Sequence, residues 1–388
     1  MKIAVIGGKL QGTEATYLAH KAGWEVVLID RRPTVPAMGL ADEFHQIDVV
    51  DQASKLPSIL KKADLVIPAV EDALALLSLR LVAEQENIPL AYDEASYRVT
   101  SSKLKSDRLF KDLNLPVPRV WPRCDPPFLA KPSGASGSHG VRKIRSREDL
   151  DSFIAARDAQ GDSWVVQEFL EGPSYSLEVF GCRRKFFDLQ TTTIDVDDLY
   201  DCKRVLAPAD LPPALKANFG YLSRKIAAAL DLQGIMDVEV ILHQGQLKVL
   251  EIDARLPSQT PTAVYYSTGI NMIKLLADVF LLGSLPVSLA FDHEKAVIYE
   301  HIKVTSETLE VAGEHIMAGA EPLRVRKGFF GADEAITDFK PGKDQWVATL
   351  IFVGKSPQEV QARREATIEE LKKYFGLNVY RDPVPGND

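Results

Sequence analysis

Acidic residues recur at every second position along two neighbouring segments of the chain. The segments, residues 235–242 and 247–254, are rich in β-branched residues, and the short connection between them contains Gly245. This pattern predicts two strands joined by a tight turn, that is, a hairpin. Because side chains alternate between the two faces of a strand, the acids of each strand share one face. If the two faces coincide, the converging residues are Asp237, Glu239, Glu251, Asp253 and Arg255.

A cluster of this kind needs a cation. Carboxylates packed side by side repel each other and raise one another's pKa values unless a positive charge lies among them. Mg²⁺ prefers oxygen ligands and usually keeps some coordination positions for phosphate and water. We therefore interpret the four acids as metal ligands facing a nucleotide triphosphate. The alternative is a solvated polar face on a half-exposed hairpin. The residues that follow, 255–262, contain an arginine, hydroxyl groups and prolines, and they favour the metal site.

The same residues carry a family resemblance. The order Asp-x-Glu followed by Glu-x-Asp-x-Arg resembles the metal-binding hairpin of the ATP-grasp ligases. The commoner form of the second strand in that family is Glu-x-Asn-x-Arg, so Asp253 adds a negative charge and leaves open how the metals share their ligands. The stretches IMDVE, EIDARLPSQTPT, VYYS and GGKLQG are similar in particular to the ligases of pyrrolysine biosynthesis. The resemblance runs from the first strand to about Tyr374.

This resemblance implies an ATP-dependent enzyme that forms an isopeptide bond through an acyl phosphate. The implied substrates are 3-methyl-D-ornithine or D-ornithine, which supplies the carboxylate, and L-lysine, which supplies its ε-amine. The implied cofactors are ATP and Mg²⁺, with two ions expected. Arg255 is then the catalytic residue that stabilises the oxyanion, and it and Ser258 contact substrate. Two other classes stay open: another ATP-grasp ligase or carboxylase that acts on a different small amino acid, and a nucleotide-binding regulatory module.

The implied fold class is α/β and α+β multidomain, with an ATP-grasp fold that follows a Rossmann-like domain built on a parallel sheet. At 388 residues the chain exceeds one compact core, so two or three domains are expected. We assign residues 1–96 to the Rossmann-like domain. Residues 97–185 form the lid subdomain with a glycine-rich loop, and residues 186–388 form the catalytic, metal-binding domain with a C-terminal α+β cap.

The composition excludes several classes of protein. A net charge of -8 and a pI near 5.5 argue against a nucleic-acid or membrane-surface binder, since both need a basic footprint. Three scattered cysteines predict neither a disulfide framework nor a zinc site and fit a reducing compartment. The chain shows no signal-peptide pattern and no apolar run near the roughly 20 residues of a membrane helix. We therefore expect a cytoplasmic enzyme that acts on small molecules, and a homodimer is a possible assembly.

The amino terminus reads as strand, glycine-rich turn, helix and strand, which is the usual start of a parallel sheet. A dinucleotide site is disfavoured because Lys9 stands where Gly-x-Gly would need glycine. A later strand is followed by the loop 70–72, and such carboxyl ends of strands are where open sheets bind ligands. Gln11 and Glu71 are therefore candidate substrate-binding residues. Two solvated loop residues are the alternative.

A lysine-rich helix is predicted from Tyr97 to Leu115, followed by a proline-rich connection that is typical of a domain boundary. In ATP-grasp ligases a lysine of this helix reaches the phosphates. Further on, a short strand ends in Lys131, and the next loop is rich in glycine and serine, whose backbone N–H groups can approach phosphate oxygens. A surface lysine and a mobile linker are the alternatives. The predicted phosphate-binding residues are Lys103, Lys131, Ser133, Gly134, Ser136, Gly137 and Ser138.

Residues 164–172 read as a strand that turns into a loop and resemble the adenine hinge of the family. The resemblance assigns backbone groups to the base and one carboxylate to the ribose. On the next strand, Ser176 and Glu178 share a face, and we assign Ser176 to substrate and Glu178 to nucleotide or substrate. A paired structural carboxylate is an equal alternative for Glu178. The hinge residues are Glu168, Phe169, Leu170 and, for the ribose, Glu171.

Three further features complete the expectations. An acidic loop at residues 195–201 can receive substrate amines or be solvated surface. Glu300 and His301, on a predicted strand, are candidate substrate contacts, although a lone histidine in a strand more often has a structural role. Near the carboxyl end we predict a strand over 347–353 and a helix over 357–374.

Overall fold

A computed structural model describes residues 1–134, 137–138, 140–158, 163–286 and 294–385. The strands form sheets of four, three and twelve strands. In these ranges no helix combines the length and the apolar character needed to span a bilayer.

The first sheet is parallel and has the strand order β3-β2-β1-β4. Its elements are β1 (Lys2–Ile6), α1 (Leu10–Lys21), β2 (Glu25–Asp30), β3 (Glu43–Gln46), α2 (Leu56–Leu60), β4 (Leu65–Pro68) and α3 (Ala73–Glu86), with short 3₁₀ turns at Pro36–Gly39 and Ala53–Lys55. Ile3 and Val5 pack into one core cluster and Ala4 and Ile6 into another, so both faces of β1 are buried, as in a sheet covered on both sides. The predicted Rossmann-like start is confirmed.

Residues 90–92 join this sheet through a single parallel bridge, between Leu90 and Val66. Pro89 precedes this segment and has no N–H group to donate, which limits the pairing.

The predicted lysine-rich helix is two helices, α4 (Glu94–Thr100) and α5 (Lys103–Asp112). The break falls at Ser102, whose backbone is extended. The N–H group of Lys103 donates to the carbonyl of Ser133 at 2.9 Å instead of to a preceding helical turn. Lys103 is therefore the first residue of a helix whose start is fixed by the glycine-rich loop.

The second sheet is small and antiparallel, with the order β6-β5-β7. Its elements are β5 (Phe128–Pro132), β6 (Arg142–Ile144), α6 (Arg147–Asp158) and β7 (Trp164–Glu168). Its core is small and centres on Phe128, which is fully buried. The sheet carries Lys131 at one end and leads into the predicted hinge at the other.

The third sheet contains the acidic hairpin and runs β13-β12-β8-β10-β11-β14-β18-β17-β16, with β9, β15 and β19 paired at its sides. The strands are β8 (Ser174–Cys182), β9 (Lys185–Asp188), β10 (Thr192–Val196), β11 (Cys202–Ala207), β12 (Gly234–His243), β13 (Gln246–Asp253), β14 (Ala296–Val304), β15 (Thr308–Val311), β16 (Arg324–Phe329), β17 (Ala332–Thr337), β18 (Trp346–Gly354) and β19 (Val379–Arg381). The helices are α7 (Pro213–Leu230), α8 (Thr260–Thr268), α9 (Met272–Ala277), which continues into a π-helical turn at Asp278–Leu282, α10 (His315–Ala318) and α11 (Pro357–Phe375).

The predicted hairpin and the predicted carboxyl-terminal strand and helix are confirmed by β12, β13, β18 and α11. The hairpin β16–β17 was not predicted, because most side chains of β16 are exposed and its sequence lacks apolar alternation. The division of the chain into three domains stays a prediction.

Helix α1 ties the first sheet to the third. The Tyr17 hydroxyl donates to Glu334 of β17 at 2.6 Å and lies 2.8 Å from the hydroxyl of Tyr266. Lys21, one turn further along α1, donates to the other oxygen of Glu334 at 2.7 Å. A buried carboxylate satisfied in this way fixes the two sheets relative to each other.

We expect Tyr17→Phe to lower the free energy of unfolding by about 1–2 kcal/mol, because the buried Glu334 carboxylate loses a donor. Urea denaturation followed by tryptophan fluorescence measures this. Tyr374→Phe is the matched control, since Tyr374 is 69% exposed, and it should change stability by less than about 0.5 kcal/mol. Equal stability of the two variants would show that the Tyr17–Glu334 contact does not hold the sheets together.

Candidate active site

Adjacent antiparallel strands bring the predicted acids into register. Asp237 of β12 lies opposite Asp253 of β13, and two residues further along Glu239 lies opposite Glu251. Opposed side chains of an antiparallel pair share a face, so the four carboxylates converge. We call these four residues the acid cluster. On the other side of β12, Glu178 of β8 lies opposite Asp237 and extends the row by one more acid.

The electrostatics of the acid cluster show why it fits a cation. Burial is the largest cause, and repulsion from Glu178 the next, of a rise in the pKa of Asp237 to about 8. Desolvation by the surrounding protein is the largest influence on Glu239, which faces the cavity, and together with repulsion from Asp237 and Glu251 it raises the pKa of this carboxyl. Burial also raises the pKa of Asp253 to about 7, although Arg255 opposes this. A set of hard oxygen donors that is short of positive charge matches the ligands that Mg²⁺ takes in proteins.

Arg255 connects the acid cluster to the first sheet. Its guanidinium contacts Asp253 at 3.1 Å and Glu71 at 2.9 Å. Glu71 in turn accepts a hydrogen bond from the side-chain amide of Gln11 at 2.7 Å. The turn before Gln11 requires glycine, because φ at Gly7 is +104° and a Cβ there would lie 2.5 Å from a backbone oxygen. The structure thus brings the predicted catalytic arginine together with both predicted substrate-binding residues of the first sheet.

Two lysines approach the acid cluster from the other side. Lys103, at the start of α5, pairs with Glu251 at 2.6 Å. Lys131, at the end of β5, is buried beside them, and its burial and the neighbouring Lys103 ammonium lower its pKa, while Glu251 acts in the opposite direction. Two lysines from separate elements therefore lie close to Glu251, and they provide positive charge where the phosphates are predicted to bind.

A cavity of about 780 Å³ lies between the small sheet and the third sheet. Its volume is in the range of small-molecule binding sites. Its walls include most of the residues predicted to bind nucleotide, together with two members of the acid cluster. These residues are Lys103, Lys131, Gly137, Ser138, Glu168, Phe169, Leu170, Glu171, Glu239 and Glu251.

The glycine-rich loop is only partly at the cavity. Gly137 and Ser138 line it, and the Ser138 hydroxyl donates to the carbonyl of Tyr200 at 2.6 Å, so the loop reaches across to the third sheet. Ser133 is buried, and its hydroxyl accepts from the N–H of Leu104 at 3.3 Å, which gives it a capping role at α5. Gly134 is exposed and does not line the cavity. Ser136 lies outside the described residues.

The predicted hinge is held by interactions within the protein. The Glu168 carboxylate pairs with Arg119 at 2.6 Å and with Lys248 at 3.1 Å. The N–H groups of Glu168 and Phe169 donate to backbone carbonyls at 2.8 and 3.0 Å. These two N–H groups are already used, so the expected contacts with a base have to come from other backbone groups of the segment. Lys143 lies over the Phe169 ring at 3.8 Å and also lines the cavity.

Three of the predicted site residues have partners within the protein and do not line the main cavity. The Ser176 hydroxyl donates to the Asp237 carboxylate. Glu178 is fully buried, and burial raises its pKa to about 7, so it belongs beside Asp237 and not on the nucleotide wall. Ser258 donates to Glu314 at 2.6 Å, a buried carboxylate that sequence reasoning missed.

Glu300 and His301 take part in contacts that differ from those expected. Glu300 is fully buried between Arg204 and Arg364, at 2.5 and 2.8 Å. The His301 ring lies 2.8 Å from the Thr349 hydroxyl, and burial lowers its pKa to about 3, so the ring is neutral at physiological pH. Neither residue lines the main cavity. Both residues have partners within the protein, and a contact of either with substrate stays a prediction.

The acidic loop is likewise a structural feature in large part. Asp197 accepts backbone N–H groups from Leu199, Asp201 and Gly313 at 2.8–3.0 Å. These bonds fix a compact turn that places Tyr200 at the cavity wall. The expectation of free carboxylates that receive amines does not hold for Asp197.

Two cavity residues escaped prediction. Lys203 and Arg204, near the start of β11, line the main cavity. Lys203 is 1% exposed, which no local pattern indicates, because a basic pair after an acidic loop reads as solvated surface. The signal that identifies them is spatial, since both donate to Asp382, which lies 179 positions from Lys203 and 178 from Arg204.

The raised pKa values predict a pH dependence of stability. The folded protein holds these protons more tightly than the unfolded chain, whose carboxyls titrate near roughly pH 4. The stability contributed by these groups is therefore fully present below that pH and is lost as the pH rises through 7 to 8. We expect the melting temperature without Mg²⁺ to be lower at pH 8.5 than at pH 6 by about 5 °C.

Thermal melting with and without MgCl₂ at constant ionic strength measures this, and Mg²⁺ should remove most of the difference. Glu239→Gln should show a smaller pH dependence and a smaller response to Mg²⁺ than the wild type. An identical pH dependence with and without Mg²⁺ would contradict cation binding by the acid cluster.

Comparisons with known proteins agree with this geometry. Residues 100–259 match the ATP-grasp domain family, and residues 3–90 match the family described as PylC-like, N-terminal domain. A biotin carboxylase–β,γ-ATP complex from Campylobacter jejuni has the same fold, with a TM-score of 0.74 at 14% identity, over 95% of this chain and 91% of that one.

Two curated relatives are much closer in sequence. The 3-methyl-D-ornithine–L-lysine ligase of Methanosarcina mazei is 36% identical over 375 residues, which cover 96% of each chain. The ligase of the same name from Methanosarcina barkeri is 37% identical, over 96% of this chain and 98% of the relative. With this identity along almost its whole length, the chain belongs to the 3-methyl-D-ornithine–L-lysine ligase family of ATP-grasp enzymes.

Proposed function

We propose that the enzyme joins the carboxylate of (3R)-3-methyl-D-ornithine to the ε-amine of L-lysine and converts ATP to ADP and phosphate. The product is 3-methylornithyl-N6-lysine, an intermediate of pyrrolysine biosynthesis. The observation that carries the proposal is the continuous series of contacts from the acid cluster through Arg255 to Glu71 and Gln11. It connects a nucleotide-sized cavity to the loops where the first sheet is expected to bind an amino acid.

The first step makes the carboxylate reactive. A carboxylate oxygen attacks the γ-phosphorus of ATP, ADP leaves, and an acyl phosphate forms. Lys103 and Lys131 converge on the end of the cavity occupied by Glu251, so we assign them to the phosphate oxygens. The acid cluster would hold Mg²⁺, which supplies neutralising charge for the phosphates when bound. The hinge segment, with Glu171, is assigned to adenosine.

The second step forms the amide bond. The ε-amine of lysine attacks the acyl carbon, phosphate leaves with the bonding electrons, and the nitrogen loses a proton. Negative charge develops on the acyl oxygen, and a fixed donor nearby lowers the barrier. Arg255 is partly buried and held from two sides by Asp253 and Glu71, so its orientation is set before the substrate arrives. We assign the oxyanion to Arg255.

A second cavity supports the amino-acid site. It measures about 410 Å³ and is formed at the carboxyl ends of the first sheet's strands, with Gln11, Glu71 and Asp30 among its walls. This edge is where open α/β sheets bind ligands. Its carboxylates suit an ammonium group, so we place the diamino acid here, with its reacting carboxylate toward Arg255.

The location and assembly of the enzyme are further parts of the proposal. The three cysteines are free, and two of them are buried, which fits a reducing compartment and supports a cytoplasmic enzyme. A homodimer stays a prediction that analytical ultracentrifugation would test.

We expect Glu251→Gln and Arg255→Ala each to reduce the rate of ATP-dependent isopeptide formation by about 100-fold or more, because each removes a charge that acts at the reacting groups. Mass spectrometry of products after incubation with ATP, Mg²⁺, L-lysine and 3-methyl-D-ornithine, or D-ornithine, measures this. Circular dichroism should show unchanged secondary structure.

Glu369→Gln is the matched control, because it makes the same charge change on an exposed face of α11 and should retain full activity. If the Glu251→Gln enzyme were fully active, the proposed role of Glu251 in binding the metal would be wrong. Phosphate release that requires bicarbonate and no amino acid would point to a carboxylase, and the ligase proposal would fail.

A further inference from the structure

The C-terminal segment closes one side of the main cavity. Strand β19 (Val379–Arg381) pairs with β15, and the chain then turns inward so that Asp382, Val384 and Pro385 form part of the cavity wall. We call residues 382–385 the C-terminal gate. The cavity wall beside it carries Lys203 and Arg204.

Lys203 depends on this gate for its hydrogen bonds. Its side chain is 1% exposed, and its ammonium donates to the Asp382 carboxylate and to the Pro383 carbonyl, both at 2.5 Å. Both acceptors belong to the C-terminal gate. A buried ammonium needs an acceptor, so movement of the gate requires another negatively charged or polar group to take its place.

Arg204 differs from Lys203 because most of its contacts are with residues outside the C-terminal gate. Its guanidinium donates to Glu300 at 2.5 Å and to Asp195 at 3.0 Å, and its remaining contact is Asp382 at 2.7 Å. Glu300 is fixed in turn by Arg364. Without Asp382, Arg204 would keep its position and present one arm of the guanidinium to the cavity.

The charges around Asp382 balance only while it is in place. Three cations, Lys203, Arg204 and Arg364, are matched by Asp382, Glu300 and Asp195. Removal of Asp382 leaves an excess positive charge in a mostly buried setting, which an anion from the cavity would neutralise.

Apolar burial contributes little to holding the segment. Val379, Tyr380 and Val384 are 38%, 37% and 43% exposed. The contacts that fix the gate are thus mainly the polar ones of Asp382 and Pro383 with the cations beside them. Because these cations are largely buried, the Asp382 carboxylate leaves them only when another anionic group takes its place.

We propose that the C-terminal gate is displaced by ligand, with Asp382 occupying on Lys203 and Arg204 the place of an anionic ligand group. That group is a carboxylate or a phosphoryl oxygen, and it binds to Lys203 and Arg204 in place of Asp382 when ligand enters the cavity. The inference rests on the proposed function in that it takes this cavity to be the ligand site. The gate would cover Lys203 and Arg204 in the empty cavity and give way when substrate binds.

Ligand affinity tests the competition. Asp382→Asn keeps the shape of the side chain and removes the charge that competes with ligand, so the Kd of the ligand that displaces the gate should fall by about three- to tenfold. Isothermal titration with a non-hydrolysable ATP analogue, D-ornithine and L-lysine, each alone, shows which ligand binds the variant more tightly. Glu369→Gln, with the same change in net charge, should leave every Kd unchanged.

Hydrogen–deuterium exchange of the wild-type protein tests the displacement without a variant. Peptides that contain Asp382 and Val384 should exchange faster when the displacing ligand is bound. Faster exchange with the ATP analogue assigns the cations to a phosphoryl oxygen, and faster exchange with an amino acid assigns them to a carboxylate.

The proposal is overturned if ligands bind but these peptides exchange equally or more slowly and Asp382→Asn binds no ligand more tightly. In that case the segment is a fixed wall, and the proposed function is unaffected. If none of the ligands binds the wild-type protein, the proposed function fails, and the gate fails with it.

Discussion

Repulsion among four carboxylates is the constraint on which the rest of the structure depends. The hairpin register places Asp237 against Asp253 and Glu239 against Glu251, and the buried Glu178 adds to the charge. Such an arrangement is unfavourable in isolation, as the raised pKa values show. It persists because the surrounding fold is stable enough to hold it, and a bound cation would relieve it. Strain of this kind, stored at one place in a well-packed sheet, is typical of functional sites.

The cationic side chains that face the acid cluster come from all three sheets or the helices between them. Lys103 begins a helix whose start is fixed by Ser133, Lys131 ends a strand of the small sheet, and Arg255 is held from the first sheet through Glu71. No single element could supply these directions. The division of the fold into three sheets is therefore what allows two lysines and an arginine to approach one set of carboxylates from different sides.

Sequence reasoning predicted the features that local periodicity encodes. The hairpin, the Rossmann-like start and the carboxyl-terminal strand and helix were accessible, because alternation and turn residues lie within short stretches. It could not predict that Glu178 lies opposite Asp237, or that Lys203 pairs with Asp382, since these contacts join distant parts of the chain. Strand β16 and the helix break at Ser102 were not predicted for another reason. Their conformation is determined by tertiary contacts and not by local preference.

The central claim is that the acid cluster binds divalent cations beneath the terminal phosphate of a nucleotide. Electron paramagnetic resonance of Mn²⁺ titrated into the protein with a non-hydrolysable ATP analogue tests it most directly. The account predicts about two tightly bound ions per chain that depend on the nucleotide and are coupled to its phosphorus nuclei, with tight binding lost in Asp237→Asn combined with Glu239→Gln. Unchanged stoichiometry and phosphorus coupling in that double variant, if it is folded, would contradict the claim.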